Sequence, residues 1–431
     1  MATMQIMQKL SKYSVDYSHG KINDETHYHL FKRQEKPINI SASFAAGARF
    51  EKKIGVAHFL EHMLLAGTEK YPNKRLLAIA AENIGGTIGG IVNDDLLTIW
   101  FEIAEKKDLD LALELLDQVI NHPLFDEQTI ETERGAILTE IQTRYHNRAV
   151  QVIDLANTLV FQNTPSGKLS LQTEDTIKLI KKSDLTGYYQ KTFKNSSVSW
   201  SIAGDVDEIK INEALDKIHS PLASMEETFN KEQPIIRKES TSLGIFEDKK
   251  ADLYFGFRTE SAKAVNAAAL EIIYAYLAQG RGSKLQDELR YKRGLIYGCR
   301  GESYPSLDLG EWYITTACSA DKTQEVLDVI INELKDIKEN GLSDKELQTT
   351  KNKIVKNNII KMQTAKSWAD WGSKPAFISA PEKFLITNYE EAIEKVTSEE
   401  IKKVAQKYFT ADNWYLAMCG PKSLEEIEVK M

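Results

Sequence analysis

His58, Glu61 and His62 lie within the run GVAHFLEHMLLAGT, residues 55–68, an apolar and helix-favouring stretch. On a helix, positions i, i+3 and i+4 share a face, so these three side chains converge on one point. Two neutral imidazoles suit zinc, and a carboxylate beside them can take a proton from water activated at the metal. The H-x-x-E-H order reverses the commoner H-E-x-x-H of zinc hydrolases. A catalytic zinc needs three protein ligands and an open position, so a third group must come from another element. The segment after Asp126 offers four acids, Glu127, Glu131, Glu133 and Glu140. Glu133 and Glu140 are seven residues apart, which on a helix puts them on one face and roughly 10 Å apart along the axis. One of the two would bind the ion while the other supports it or polarises the substrate, and spacing does not choose between them.

These groups need elements to hold them. Ile38–Phe44 alternates as a strand ahead of the histidine helix, and Leu96–Ile103 reads as a second strand. Asp108–Asn121 has helical periodicity and stops before Pro123. Asp126 can cap a long helix running through Gln128, Glu133, Ile137 and Glu140 to about Asn157. In the second half, Ala264–Leu277, Thr323–Asn340 and Ser343–Met362 read as helices. Residues 185–204 (LTGYYQKTFKNSSVSWSIAG) align with 401–420 (IKKVAQKYFTADNWYLAMCG), matching Gln190 to Gln406, Lys191 to Lys407, Phe193 to Phe409 and Gly204 to Gly420. Each copy reads as a helix ending in an aromatic, a polar turn, and an apolar strand closed by glycine. The expectation is an α+β chain of two homologous, α/β-sandwich-like domains from an internal duplication, each with a mixed, mainly antiparallel sheet and packed helices. The polar stretch from Ser220 to Leu243, punctuated by Pro234, reads as the connection. This gives residues 1–222 as the N-terminal, zinc-binding domain, 223–243 as a linker and 244–431 as the C-terminal homologue.

Composition narrows the function. A chain of 431 residues, 42% hydrophobic and 27% charged, fits two soluble globular domains. A net charge of -8 argues against a nucleic-acid partner, which calls for a basic patch. Cys299, Cys318 and Cys419 are an odd number without metal-ligand spacing, and read as small apolar residues in a reducing compartment. The N-terminus has no apolar leader, and no run nears the ~18 apolar residues of a membrane span, so the expected location is the cytoplasm.

Several stretches together resemble the pitrilysin-type (inverzincin) zinc metallopeptidases, in particular the two-domain branch related to mitochondrial processing peptidase. They are Ala46–Glu51 leading into Gly55–Met63, Pro123–Asp126 ahead of Glu131–Ile141, Gly282–Tyr297, and Val396–Ile401 followed by Cys419-Gly420-Pro421. The resemblance spans about residues 38–421. It implies one Zn2+ per chain held by His58, His62 and Glu140, with Glu61 as general base and Glu133 as the auxiliary acid. It also implies that Arg290 and Tyr297, in the second domain, bind the peptide carbonyl and its developing oxyanion. The implied activity is endopeptidase cleavage of short or unfolded peptides inside a two-chain chamber. A homodimer is the simplest assembly, with a heterodimer with a related subunit as the other. The alternative is a non-catalytic subunit of such a complex. One stretch departs from the family pattern: Gly89-Gly90 stands where an Asn-Ala pair on a substrate-binding edge strand is implied.

Overall fold

The computed structural model describes residues 4–23, 26–34, 37–162, 164–219, 238–261, 266–305 and 309–431. Most of the expected linker therefore lies outside the described residues, and its last positions already belong to a strand. The first sheet contains β1 (Met4–Leu10), β2 (Val15–Lys21), β3 (Thr26–Lys32), β4 (Ile38–Phe44), β5 (Thr87–Val92), β6 (Leu97–Ile103) and β7 (Val198–Gly204), in the order β1-β2-β3-β7-β4-β6-β5. The second contains β8 (Ser240–Ile245), β9 (Lys250–Thr259), β10 (Ile296–Pro305), β11 (Gly310–Ser319) and β12 (Trp414–Gly420), in the order β10-β11-β9-β12-β8.

Five strands of the first sheet repeat the second. β3 pairs parallel with β7 as β8 does with β12, and the other neighbours in both series run antiparallel. The strands also come in the same chain order, with the aligned segments supplying β7 and β12. The duplication read from four identities is thus present in every strand of the shared topology.

Strand β4 is buried along its whole length. Its apolar residues Ile38, Ile40, Ala42 and Phe44 enter the core formed with helices α1 (Val56–Ala66), α2 (Lys74–Glu82) and α3 (Leu109–Asn121). The alternate residues Asn39, Ser41 and Ser43 face the other way. On the sheet's second face lies the helix Ala365–Gly372, whose Gly372 comes so close to Ser201 and Phe31 that a Cβ would collide with both. Its Trp368 packs on Phe31 and Tyr13, at ring-centroid distances of 5.2 and 5.3 Å.

Two compact units result. One comprises 1–141, 171–230 and 359–381, and the other 142–170, 231–358 and 382–431. The expected contiguous domains, 1–222 and 244–431, differ from these units by two exchanged helical segments. The physical reason is the apolar face of each exchanged helix. Val152, Ala156 and Val160 cluster with Tyr254, Tyr415 and Ala417 of the second sheet. The long helix expected to reach Asn157 is also interrupted. It ends at His146 as α4 (Glu127–His146), and α5 (Arg148–Val160) starts afresh because the Asn147 side chain accepts from Ala149 N at 3.1 Å.

The second sheet buries a carboxyl group. Tyr254 and Tyr415 donate to Glu311 Oε2 at 3.1 and 2.6 Å, and burial pushes the Glu311 pKa up to about 7. A raised carboxyl pKa means the fold favours the protonated form. The associated stability is present below the unfolded-state value and is lost as pH rises through about 7. Glu311→Gln keeps an acceptor for both phenols and removes the charge. It should raise the Tm at pH 8, reflecting about 3 kcal/mol, and leave it unchanged at pH 4.5, as calorimetry at the two pH values would report.

Candidate metal and catalytic centre

Helix α1 is held by two devices. Gly55 takes φ +93° at its start, and Glu51 accepts from Gly55 N at 2.9 Å and Ala57 N at 3.0 Å. Glu51 thus fills the capping role that glycine lacks a side chain to perform. Phe59, Leu60, Met63 and Leu64 are buried in the core, which turns His58, Glu61 and His62 to the helix's other face.

Helix α4 brings in the third component. Glu140 Oε2 is 3.5 Å from His58 Nε2 and 3.8 Å from His62 Nε2. One turn-pair earlier, Glu133 Oε2 accepts from His62 Nδ1 at 3.0 Å. The other two acids lie elsewhere: Glu127 is exposed, and Glu131 pairs with Arg134 at 3.0 Å. Arg134 in turn donates to Ile177 O at 2.6 Å and lies over the Phe59 ring, fastening α4 both to α1 and to the segment after residue 171.

The donor set fits one small cation. Ligand atoms arranged tetrahedrally at zinc bond lengths of about 2.0–2.2 Å lie ~3.3 Å from one another. The two separations from Glu140 are close to that value. Glu61 Oε2 stands farther out, 4.0 Å from His62 Nε2. His58, Glu61 and His62 also have ligand atoms all within 4.8 Å of one another. Both imidazoles spend Nδ1 on an outer oxygen, and both Nε2 atoms stand near Glu140 Oε2.

Electrostatics distinguish Glu61 from His58. Burial raises the Glu61 pKa, against the pull of His62, His58 and Lys74. For His58, burial works to lower the pKa, but the attraction of the nearby Glu140 carboxylate and the contact with Gln172 prevail and it is raised. A bound cation would reverse that preference for the protonated ring.

β5 forms the edge of the first sheet beside this helix. A Cβ at Gly90 would collide with the Glu61 carboxylate, and one at Gly89 would meet the Trp100 ring at 2.6 Å. Gly90 therefore gives Glu61 its space and Gly89 does the same for the Trp100 ring, while the outer edge of β5 pairs with no other strand among the described residues.

In the second unit, Arg290 sits in the helical turn Gln286–Tyr291 and Tyr297 on β10. The Arg290 guanidinium lies 4.6 Å from the Tyr297 ring centroid, and Tyr297 is 85% exposed. Among the described residues Arg290 makes no ion pair. A fixed cation and a phenol are thus presented together to solvent.

Three contributors were not apparent in the sequence. Lys74 Nζ lies 3.3 Å from Glu133, Glu51 holds the helix start, and Gln172 Oε1 meets His58 Nδ1 at 2.9 Å. Glu51 adjoins a recognisable motif, but Gln172 sits in a loop whose composition carries no signal.

Two family models match the chain: Insulinase (Peptidase family M16) over residues 32–174, and Peptidase M16 inactive domain over 180–354. The first span holds His58, Glu61, His62, Glu133 and Glu140, and the second holds Arg290 and Tyr297. The beta subunit of mouse mitochondrial-processing peptidase is 25% identical over 398 residues, 87% of this chain and 78% of that one. An uncharacterized zinc protease of Bacillus subtilis is 23% identical over 389 residues, 90% of this chain and 93% of that one. Among solved structures, a Helicobacter pylori protease superposes with a TM-score of 0.84 at 17% identity, covering 94% of this chain and 99% of the other. A Pseudomonas fluorescens peptidase M16 inactive domain gives 0.83 at 18% identity, covering 98% of both. These two likenesses establish the fold.

Proposed function

The chain belongs to the pitrilysin-type, two-domain M16 family, and from that premise we propose that it is a zinc-dependent endopeptidase acting on short or unfolded peptides. The observation that carries the reading is the placement of Glu140 Oε2 within 3.8 Å of both imidazole Nε2 atoms. His58, His62 and Glu140 would hold the ion. Zinc there supplies Lewis-acid chemistry, lowering the pKa of water and polarising the scissile carbonyl.

The chain's own residues do the rest. Glu61, just outside the ligand set, takes the proton of the attacking water and later passes it to the leaving amine. Glu133 fixes the His62 ring through Nδ1. Arg290 and Tyr297 offer positive charge and an O–H to the developing oxyanion. The unpaired edge of β5 offers backbone hydrogen bonds to an extended peptide. We further propose a homodimer in which the Arg290/Tyr297 pair of one chain serves the metal site of the other.

The alternative, a non-catalytic subunit, draws on the matched inactive-domain model. One experiment separates the two. The purified chain should carry one zinc, and its cleavage of an unfolded peptide library should stop with a chelator and return with added zinc. Glu140→Gln should weaken zinc binding by more than the ~10–100-fold that loss of an outer-shell partner causes. A metal-free chain that cleaves fully, or a zinc-loaded chain that cleaves nothing, overturns the reading.

A further inference from the structure

The two histidines of α1 are anchored by chemically different partners. His62 Nδ1 faces the Glu133 carboxylate at 3.0 Å, whereas His58 Nδ1 faces the neutral amide of Gln172 at 2.9 Å. We infer that Gln172 is a positioning residue for His58: its Oε1 accepts from Nδ1–H, fixes the ring plane and tautomer, and leaves Nε2 unprotonated for the metal. The inference rests on the zinc reading above and extends it to a residue outside the motif.

Three observations support it. The first is competition between acceptors. A neutral imidazole has one N–H, and the rival acceptor for it, Glu140 Oε2, stands 3.5 Å from Nε2, too far for a good hydrogen bond. The 2.9 Å contact to Gln172 is the shorter of the two and favours the proton on Nδ1.

The second is preorganisation. Thr173, the next residue, caps the helix Glu174–Lys178 with reciprocal bonds to Thr176. Arg134 holds that helix at Ile177 O. On the other side, Gln172 Cγ lies 3.6 Å from the point a Gly55 Cβ would occupy, against the start of α1. The amide is thus clamped between two anchored segments. Among the described residues its Nε2 is buried without a hydrogen-bond partner, so the contact to His58 is the polar interaction that orients the group.

The third is charge. Glu61, Glu133 and Glu140 already place three carboxylates around two imidazoles. A neutral carbonyl at 172 fixes the second ring without adding a fourth negative charge to a half-buried site.

The test reads His58 directly. Long-range 15N–1H correlation spectra of the apo chain at alkaline pH should show His58 as the Nδ1–H tautomer. In Gln172→Leu the His58 signals should move toward Nε2–H while those of His62 stay in place. Zinc affinity, measured by competition with a chromogenic chelator, should fall ~10–100-fold in Gln172→Leu and return in Gln172→Glu, which restores an acceptor oxygen. An Nε2–H tautomer in the wild-type apo chain overturns the inference, as does a Gln172→Leu zinc affinity within twofold of wild type. Failure of the wild type to bind zinc would instead overturn the metal reading, with the apo tautomer still deciding the role of Gln172.

Discussion

Glu61→Gln is expected to lower peptide hydrolysis by ~10²–10⁴-fold, the range typical of removing a general acid–base. Zinc content should not change. The side chain is buried beside the metal-binding pair, and burial lifts its pKa above the ordinary carboxylate value, which makes it a stronger base. Its oxygen lies 4.0 Å from His62 Nε2, whereas Glu140 approaches both rings more closely, so the ligand set survives the substitution. Glutamine has the same shape and fits the space that Gly90 leaves. Single-turnover cleavage of a quenched peptide, with metal content measured on the same sample, checks this. Wild-type rates in the variant would remove Glu61 from the mechanism, and loss of zinc would recast it as a ligand.

The second large effect is one of complementation. Arg290→Ala should by itself cost ~10²–10³-fold, the size of losing one electrostatic stabiliser of an oxyanion. If the Arg290/Tyr297 pair serves the partner's metal site, mixing Arg290→Ala with Glu61→Gln rebuilds one intact site per mixed dimer. With random pairing, half of the dimers are mixed and each has one working site of two, so activity should recover to about a quarter of wild type. Co-expression with two affinity tags allows the mixed dimer to be isolated and assayed. Two inactive parents giving an inactive mixed dimer would place the pair in the same chain's site. The structure fits the first step of this reasoning, since Arg290 and Tyr297 stack on one another, presented to solvent together.

Local pattern revealed a good deal of this. Ile38–Phe44 and Thr323–Asn340 end where alternation and helical period place them, because a central strand and an amphipathic helix each leave a long, unmixed signature. The duplication was visible at one helix–strand unit and extends to five strands. Glu133 and Glu140 could be put on one face by counting, but only the packing of α4 against α1 shows that one meets Nδ1 and the other Nε2. The break at Asn147 was obscured because helical period continues through it, and the signal is a single capping side chain. Gln172 was silent for a different reason. It comes 114 residues after His58, and nothing in its neighbourhood signals a tertiary contact. The choice of sheet for each exchanged helix is likewise a matter of which apolar face finds a vacancy, and alternation within the helix is blind to that.

The exchanged helices also bear on how such a chain could arise. Each compact unit includes a helical segment from the opposite half of the sequence. A single copy of the repeat would lack its own cover for one sheet face, leaving Tyr254, Tyr415 and Ala417, or their counterparts, open to water. It would have to borrow that helix from a second copy and lend its own in return. Each half of the sequence thus supplies the helix that covers one face of the other half's sheet.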